Sequence, residues 1–138
     1  IMKFLVTLLV TVALFVSALI TAQNNTITVT VVNATSDSGK IGFALHNKTS
    51  FLKMGIQSKN AKIINGKSTV TFKNVSSGEY AIVCFHDKNN NDKMDFAANG
   101  MPLEDYGSSN NDMTLGPPNF EKAKFVVADK NVSLDIKF

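Results

Sequence analysis

The feature that most constrains the fold is a succession of short segments in which apolar and polar residues alternate. In residues 26–32 threonine alternates with branched aliphatic residues, and in residues 40–46 every second residue is a large hydrophobic one. A period of two predicts half-buried β-strands. Turn residues separate the segments, and Asn65-Gly66 is the strongest hairpin dipeptide among them. Five further strands are predicted, at residues 61–64, 68–73, 79–86, 123–128 and 132–138.

The segment at residues 79–86 differs from the others because it is apolar on both faces. Continuous apolar character is typical of a central strand that is covered on both sides. We expect the last two strands to pair through the turn at residues 129–131, and Asn119 to cap one helical turn. About seven short strands and almost no helix predict an all-β fold, an antiparallel β-sandwich formed by one domain at residues 23–138.

The amino-terminal segment predicts export. Lys3 precedes an apolar and hydroxylated run at residues 4–20, and Ala22-Gln23 then leads directly into polar residues. This order is typical of a secretory signal peptide at residues 1–22. A membrane anchor is the alternative, since the run approaches the spanning minimum of roughly 17 residues. No basic stop-transfer cluster follows, so we expect a cleaved signal, no membrane span afterwards, and a periplasmic, cell-surface or extracellular protein.

The composition argues against a protein that binds nucleic acid and against a fold that is held by internal disulfides. All fourteen basic residues are lysine and the net charge is only +3, whereas proteins that bind nucleic acid use arginine for guanine edges and phosphates. Cys84 is the single cysteine, so an internal disulfide cannot form. It lies inside the apolar segment with no basic neighbour to activate it, and we expect it in the core.

The connection after residue 86 is unusually long and unusually acidic. Six acidic residues and two lysines lie between residues 87 and 112, and all three prolines of the chain lie between residues 87 and 119. A connection of this length in a compact domain is usually functional or braced by a ligand. A segment with net charge −4 inside a basic protein favours a bound cation.

The spacing of oxygen-bearing side chains in this connection resembles that of a calcium loop. Asp87, Asn89 and Asn91 match the first, third and fifth positions of such a loop. The carbonyl of Lys93 falls at the seventh position and Asp95 at the ninth. Calcium takes six to eight oxygen ligands in irregular geometry, so this spacing predicts a Ca²⁺ site.

Two positions depart from that pattern. Asp92 occupies the place of the usual glycine, and Ala98 the place of the closing glutamate. Glu104 or Asp105 would then have to fold back and supply the missing carboxylate. Such a weakly charged site predicts a dissociation constant on the order of 10⁻⁴–10⁻³ M. The alternative is an Asn/Asp-rich turn that is closed by its own hydrogen bonds and holds no ion.

Three blocks, at residues 84–96, 100–110 and 117–125, together resemble a family of exported bacterial proteins known as domain of unknown function 2141. The likeness covers nearly all of the chain after the predicted signal. It implies an immunoglobulin-like or transthyretin-like sandwich. It implies no activity.

The sequence contains no catalytic constellation. His46 and His86 lack a third residue spaced to complete a metal site, and no serine lies in a nucleophile elbow. We therefore predict a non-enzymatic binding module for a glycan or a protein partner. Two alternatives remain: a hydrolase that uses carboxylates around Glu104 and Asp105, and a carrier of a small apolar ligand between the sheets.

Overall fold

The computed structural model describes residues 24–112 and 114–138. The predicted signal peptide lies outside these residues. The described chain forms eight strands, one short helix and one 3₁₀ turn at Ser109–Asn111. The strands are β1 (Asn25–Val31), β2 (Lys40–His46), β3 (Gln57–Ala61), β4 (Ser68–Val75), β5 (Gly78–Asp87), β6 (Tyr106–Ser108), β7 (Phe125–Val127) and β8 (Val132–Ile136), and the helix is α1 (Phe120–Ala123).

The strands form two sheets, which confirms the predicted all-β sandwich. One sheet has the order β4-β1-β8, and the other has the order β3-β2-β5-β6, with β7 also paired to β5. All pairs are antiparallel except β1 with β8, which run parallel. Strand β5 is central, as its two apolar faces predicted, since β2 pairs with its residues 81–87, β6 with residues 83–85 and β7 with residues 78–80.

The alternation in the sequence determines which side chains enter the core. In β1 every second side chain is buried, and the threonines between them face outward. Thr28 and Thr30 form hydrogen bonds with Thr71 and Thr69 of β4, at 3.1 and 2.9 Å. The buried faces of β1, β2, β4 and β5 meet in one hydrophobic cluster that includes Cys84. Burial raises the pKa of the Cys84 thiol, so this cysteine is an inert core residue.

The hairpin predicted at Asn65-Gly66 is present. Ile64 and Lys67 pair across it, and both central residues have the positive φ of a type I′ turn, 52° and 71°. The strand predicted at residues 61–64 lies earlier in the chain, because β3 begins at Gln57 and ends at Ala61. Its five residues carry no apolar alternation, since β3 lies at the sheet edge and is largely exposed.

The predicted pairing of the last two strands is wrong. Strand β7 pairs with β5 in one sheet, and β8 pairs with β1 in the other, so the chain crosses between the sheets at residues 128–131. Side chains hold this crossing in place. Asn131 accepts a hydrogen bond from the backbone of Thr26 at 2.9 Å, and Asn25 donates to the carbonyl of Ala128 at 2.7 Å. The predicted cap is confirmed, since Asn119 accepts from the backbone of Glu121 at 2.9 Å.

The packing of the core predicts a large difference between two phenylalanines. Phe72 is fully buried, whereas Phe96 is 58% exposed. We expect Phe72→Ala to lower the free energy of unfolding by about 3–5 kcal/mol through lost burial and a cavity. The matched variant Phe96→Ala should change it by no more than about 0.5 kcal/mol. Urea titration measures both, and equal losses would contradict this assignment of the core.

Candidate functional site

A buried carboxylate ends strand β5. The side chain of Asp87 is fully buried, and its two oxygens accept hydrogen bonds from the backbone N–H groups of Asn91 at 3.0 Å and Asp92 at 2.9 Å. The ammonium of Lys40, on the neighbouring strand β2, lies 3.5 Å from the same carboxylate. Because a buried charge without partners is very costly, these contacts determine where the following loop must run.

The loop curls tightly after Asp87. Asn90 and Asp92 have positive φ values of 58° and 62°, a conformation that Asn and Asp tolerate better than most residues. The side-chain oxygens of Asn89 and Asn91 accept hydrogen bonds from backbone N–H groups two residues further on, at 3.1 and 2.9 Å. The second of these N–H groups belongs to Lys93. The loop is therefore a chain of side-chain-to-backbone turns.

Two of the predicted ligand side chains, those of Asn89 and Asn91, donate hydrogen bonds to a third, that of Asp95. The amide nitrogen of Asn89 donates to its carboxylate at 2.7 Å, and that of Asn91 donates to both carboxylate oxygens at 3.0 Å. The loop thus gathers Asn89, Asn91 and Asp95 around one point, above the buried Asp87. In this arrangement amide nitrogens face the carboxylate, as expected of a loop that closes on itself.

Glu104 folds back onto the loop. Its side chain is 7% exposed, and its two oxygens accept hydrogen bonds from the backbone N–H groups of Lys88 at 3.0 Å and Asp95 at 3.1 Å. One carboxylate therefore joins the start of the loop to its end. The backbone of residue 104 is held close because the adjacent Asp105 carbonyl accepts from the His86 N–H at 2.8 Å.

Asp105 lies in a different cluster from the other predicted ligands. It accepts hydrogen bonds from the Thr35 hydroxyl at 2.7 Å and contacts the Lys88 ammonium at 3.1 Å. Burial alone would raise the pKa of Asp105, but the contacts with Thr35, Lys88 and the nearby His86 outweigh it, so this pKa lies below the ordinary value of an aspartate. Asp105 therefore ties the long connection to the segment between β1 and β2.

His86 is fully buried beneath this cluster. Its Nε2 lies 2.7 Å from the carbonyl of Ser38, which can only accept, so Nε2 carries the proton. Its Nδ1 has no hydrogen-bond partner among residues 24–112 and 114–138, and lies 4.0 Å from Asp105. The ring stacks on Phe138 with a centroid separation of 6.5 Å. His86 thus links the end of β5 to the β1–β2 segment.

The segment between β1 and β2, together with Lys40 at the start of β2, makes contacts with the acidic connection that the sequence pattern does not predict. Lys40 pairs with Asp87, Thr35 binds Asp105, and Ser38 binds His86, although about fifty residues or more separate the partners in the chain. Gly39 has a φ of +76°, and a Cβ added there would lie 2.1 Å from the Asp87 carbonyl. Only glycine allows this approach. The turn at residues 37–39 was visible in the sequence, but its position beside the acidic loop was not.

An apolar hairpin projects from the loop base. Phe96 pairs with Pro102, and two backbone hydrogen bonds flank this pair: Ala97 to Met101 at 2.8 Å, and Leu103 to Asp95 at 2.9 Å. Residues 96–103, hereafter the apolar hairpin, carry no charge. Three of its side chains are largely exposed, namely Phe96 (58%), Met101 (61%) and Leu103 (62%).

Two features are absent from the described residues: a cluster of metal-binding side chains and a membrane-spanning helix. Within residues 24–112 and 114–138, no three His, Cys, Asp or Glu side chains are grouped closely enough to hold a metal ion. The carboxylates of the predicted site, Asp87, Asp95 and Glu104 or Asp105, therefore do not form such a group. Its other predicted ligands are asparagine side-chain oxygens and a backbone carbonyl. Among the same residues, no helix has the length and apolar character needed to span a membrane.

The fold and the loop define a class of protein: a small two-sheet β-sandwich with an Asp/Asn-rich connection at the end of its central strand. Residues 29–135 match the model of a family described as an uncharacterized protein conserved in bacteria, DUF2141. The chain belongs to this family, as the resemblance of its three sequence blocks predicted. No curated protein and no solved structure matches the chain.

The buried position of Asp87 predicts a large effect of an isosteric change. We expect Asp87→Asn to lower the free energy of unfolding by about 2–4 kcal/mol, because an amide group would face buried N–H donors and leave Lys40 without its buried partner. Urea titration at neutral pH measures this loss. Asp92→Asn is the matched control, since it removes an exposed carboxylate that contacts the same lysine. Similar losses in the two variants would contradict the proposed role of Asp87.

The low pKa of Asp105 predicts a pH dependence of stability. Because this pKa is lower in the folded than in the unfolded state, the stabilisation is complete above the unfolded value and is lost as the pH falls through the folded value. Asp105→Asn should therefore destabilise the protein by about 1 kcal/mol at pH 7 and by progressively less below pH 4. Melting temperatures across this range test it, with the exposed Asp129→Asn as control. A difference that stays constant down to pH 2 would refute the assignment.

Proposed function

We propose that this protein is an exported, non-catalytic binding module that presents the apolar hairpin to a glycan or a protein partner, and that Ca²⁺ braces the loop beneath it. The observation that carries the proposal is the exposure of Phe96, Met101 and Leu103 on a short, uncharged and well-formed projection. Exposed apolar side chains concentrated in one short segment are candidates for an interaction surface.

The geometry of the hairpin supports a role in recognition. Its three-residue loop ends at Gly100, which has a φ of +80°, and the Gly100 N–H donates to the Ala97 carbonyl at 2.8 Å. This is a regular hairpin turn in which a left-handed glycine follows a tight turn. A preformed projection loses little conformational entropy when it binds, because its backbone is already ordered.

The base of the hairpin supports a brace. Glu104 joins the start of the loop to Asp95, and Asp95 immediately precedes the apolar hairpin. Any ligand that orders Asp95 would therefore also order the direction in which the hairpin points. In our proposal Ca²⁺ takes oxygens from Asp87, Asn89, Asn91, Asp95 and the carbonyl of Lys93, and it replaces the amide-to-carboxylate hydrogen bonds at Asp95.

The engagement of the two other predicted carboxylates supports a non-catalytic role. Glu104 accepts from two backbone N–H groups, and Asp105 is held by Thr35 and Lys88. A general acid or base must reach a substrate, which neither carboxylate can do without giving up these contacts. A surface pocket of about 170 Å³ lies beside β6 and is lined in part by Tyr106, Leu115 and Phe138. It lies outside the core between the sheets and gives no support to a carrier of apolar ligands.

Export is proposed from the amino-terminal sequence. The apolar run at residues 4–20 and the Ala22-Gln23 step are those of a cleaved signal. Extracellular and periplasmic calcium concentrations suit a weak site of the kind expected here, with a dissociation constant on the order of 10⁻⁴–10⁻³ M.

The brace is tested by thermal unfolding in millimolar calcium. At a calcium concentration about tenfold above the dissociation constant, linkage predicts roughly 1.4 kcal/mol of added stability, which EDTA should remove. Asn89→Ala should abolish the gain, whereas Asn99→Ala, in the hairpin turn, should retain it. Identical melting curves of the wild-type protein in calcium and in EDTA would remove calcium from the proposal.

The binding surface is tested with a triple variant, Phe96→Ser, Met101→Ser and Leu103→Ser. We expect it to retain the wild-type melting temperature, because the three side chains are exposed, and to lose binding to glycan arrays and to bacterial surface proteins. The control is Ile64→Ser with Leu115→Ser, which removes apolar residues that are 69% and 100% exposed elsewhere. If the two variants bind as the wild type does, the hairpin is not the recognition surface.

A further inference from the structure

The chain contains two Asn-Gly dipeptides, or steps, and their hydrogen bonds in the folded structure differ. Asn65-Gly66 forms the turn between β3 and β4, and Asn99-Gly100 forms the tip of the apolar hairpin. In this dipeptide the glycine nitrogen can attack the side-chain carbonyl of asparagine, because glycine has no side chain to hinder the approach. Both asparagines are exposed to water. Their surroundings determine which one reacts.

At the first Asn-Gly step, the carboxylate of Asp37 accepts hydrogen bonds from the backbone of both residues. The Gly66 N–H donates to one oxygen of Asp37 at 2.8 Å, and the Asn65 N–H donates to the other oxygen at 2.9 Å. The Gly66 carbonyl in turn accepts from the backbone of Ala34 at 2.9 Å. The first of these hydrogen bonds holds the peptide group that would have to rotate toward the asparagine side chain, and the other two hold the peptide groups on either side of it. Two of the three end on a negative charge, which makes them stronger than neutral ones.

At the second step, Asn99-Gly100, the backbone and side-chain hydrogen bonds within the described residues have neutral partners. The Gly100 N–H donates to the neutral carbonyl of Ala97 at 2.8 Å, and the side-chain oxygen of Asn99 accepts from Met101 at 3.2 Å. Apart from Gly100 itself and its two chain neighbours, no atom of the described residues lies within 4 Å of the position that a Cβ would occupy on Gly100, so the turn has space to rearrange. In the part of the chain that the structure describes, the hydrogen bonds of this turn all lie within the short hairpin.

We propose that Asn99 is a site of spontaneous deamidation in this protein and that Asp37 protects Asn65 from the same reaction. At Asn99 the Gly100 nitrogen loses its proton to solvent and bonds to the side-chain carbon. The bond from that carbon to the amide nitrogen breaks, and ammonia leaves. Water then opens the resulting succinimide and yields aspartate or isoaspartate. No oxidant or reductant is required.

The electrostatics of the two turns lead to the same assignment. The attacking nitrogen must give up its proton, and a carboxylate at 2.8 Å opposes the negative charge that forms on Gly66. Among residues 24–112 and 114–138, no carboxylate accepts a hydrogen bond from Gly100. Reaction at Asn99 also has a consequence for the surface, because it introduces a negative charge among residues 96–103, which otherwise have none. The fraction of molecules with a charged hairpin would therefore increase with the age of the protein.

The test is to incubate the folded full-length protein at mildly alkaline pH, well below its melting temperature, and to follow both peptides by mass spectrometry. We expect Asn99 to convert roughly tenfold or more faster than Asn65, since hydrogen bonds to a charged group must break at Asn65. In urea the two rates should become similar, because both dipeptides are then free of their turns. Equal rates in the folded protein, or faster conversion of Asn65, would overturn the proposal.

The role of Asp37 is tested in the same assay. Asp37→Ala should raise the rate at Asn65 several-fold and leave the rate at Asn99, the internal reference, unchanged. Asp37→Asn, which removes the charge but keeps one acceptor, should give an intermediate rate and serves if the alanine variant does not fold. Asp129→Ala removes an exposed carboxylate from another turn and should alter neither rate. An unchanged rate at Asn65 in the folded Asp37 variant would refute protection by Asp37.

Discussion

The arrangement of this molecule around its long connection depends on one buried charge. Asp87 ends the central strand β5 with no exposure to solvent, so its carboxylate must find partners inside the protein. It finds them in the N–H groups of Asn91 and Asp92 and in the ammonium of Lys40. The first two of these contacts bend the chain back over the strand end. The third joins the loop to the neighbouring strand β2.

The other features of the loop follow from this bend. Once the chain turns back, Asn89 and Asn91 face Asp95, and Glu104 can reach the backbone at both ends of the loop. The apolar hairpin then leaves the domain from an ordered base. A long connection, which by length alone would be expected to be mobile, is thereby held by carboxylates that accept backbone hydrogen bonds. Binding of a cation to the same oxygens would strengthen this order.

The sequence predicted the parts of the structure that depend on local pattern. Period-two alternation located β1, β2 and β4, because one side of each strand must be buried, and continuous apolar character located β5. Strands β3 and β6 lack that signal, since one is a polar edge strand and the other has only three residues. The parallel pairing of β8 with β1 depends on where the chain crosses between sheets, which local sequence does not encode.

The candidate site was predictable to the same extent. The spacing of side-chain oxygens located Asp87, Asn89, Asn91 and Asp95 in one loop, and the idea that Glu104 folds back agrees with its contacts. The contacts made by Lys40 and by the β1–β2 segment were missed, because tertiary pairing of β2 with β5 brings them there. Asp105, which the sequence grouped with the other ligands, is instead drawn to Thr35 and Lys88.

The most direct test of the central claim is amide hydrogen exchange in the native protein. If buried carboxylates organise the connection, the N–H groups of Asn91 and Asp92, and those of Lys88 and Asp95, will exchange slowly, with protection comparable to that of β5. The N–H of Leu115, in an exposed part of the same connection, should exchange quickly and serves as the reference. Exchange of the four loop amides as fast as that of Leu115 would contradict the account.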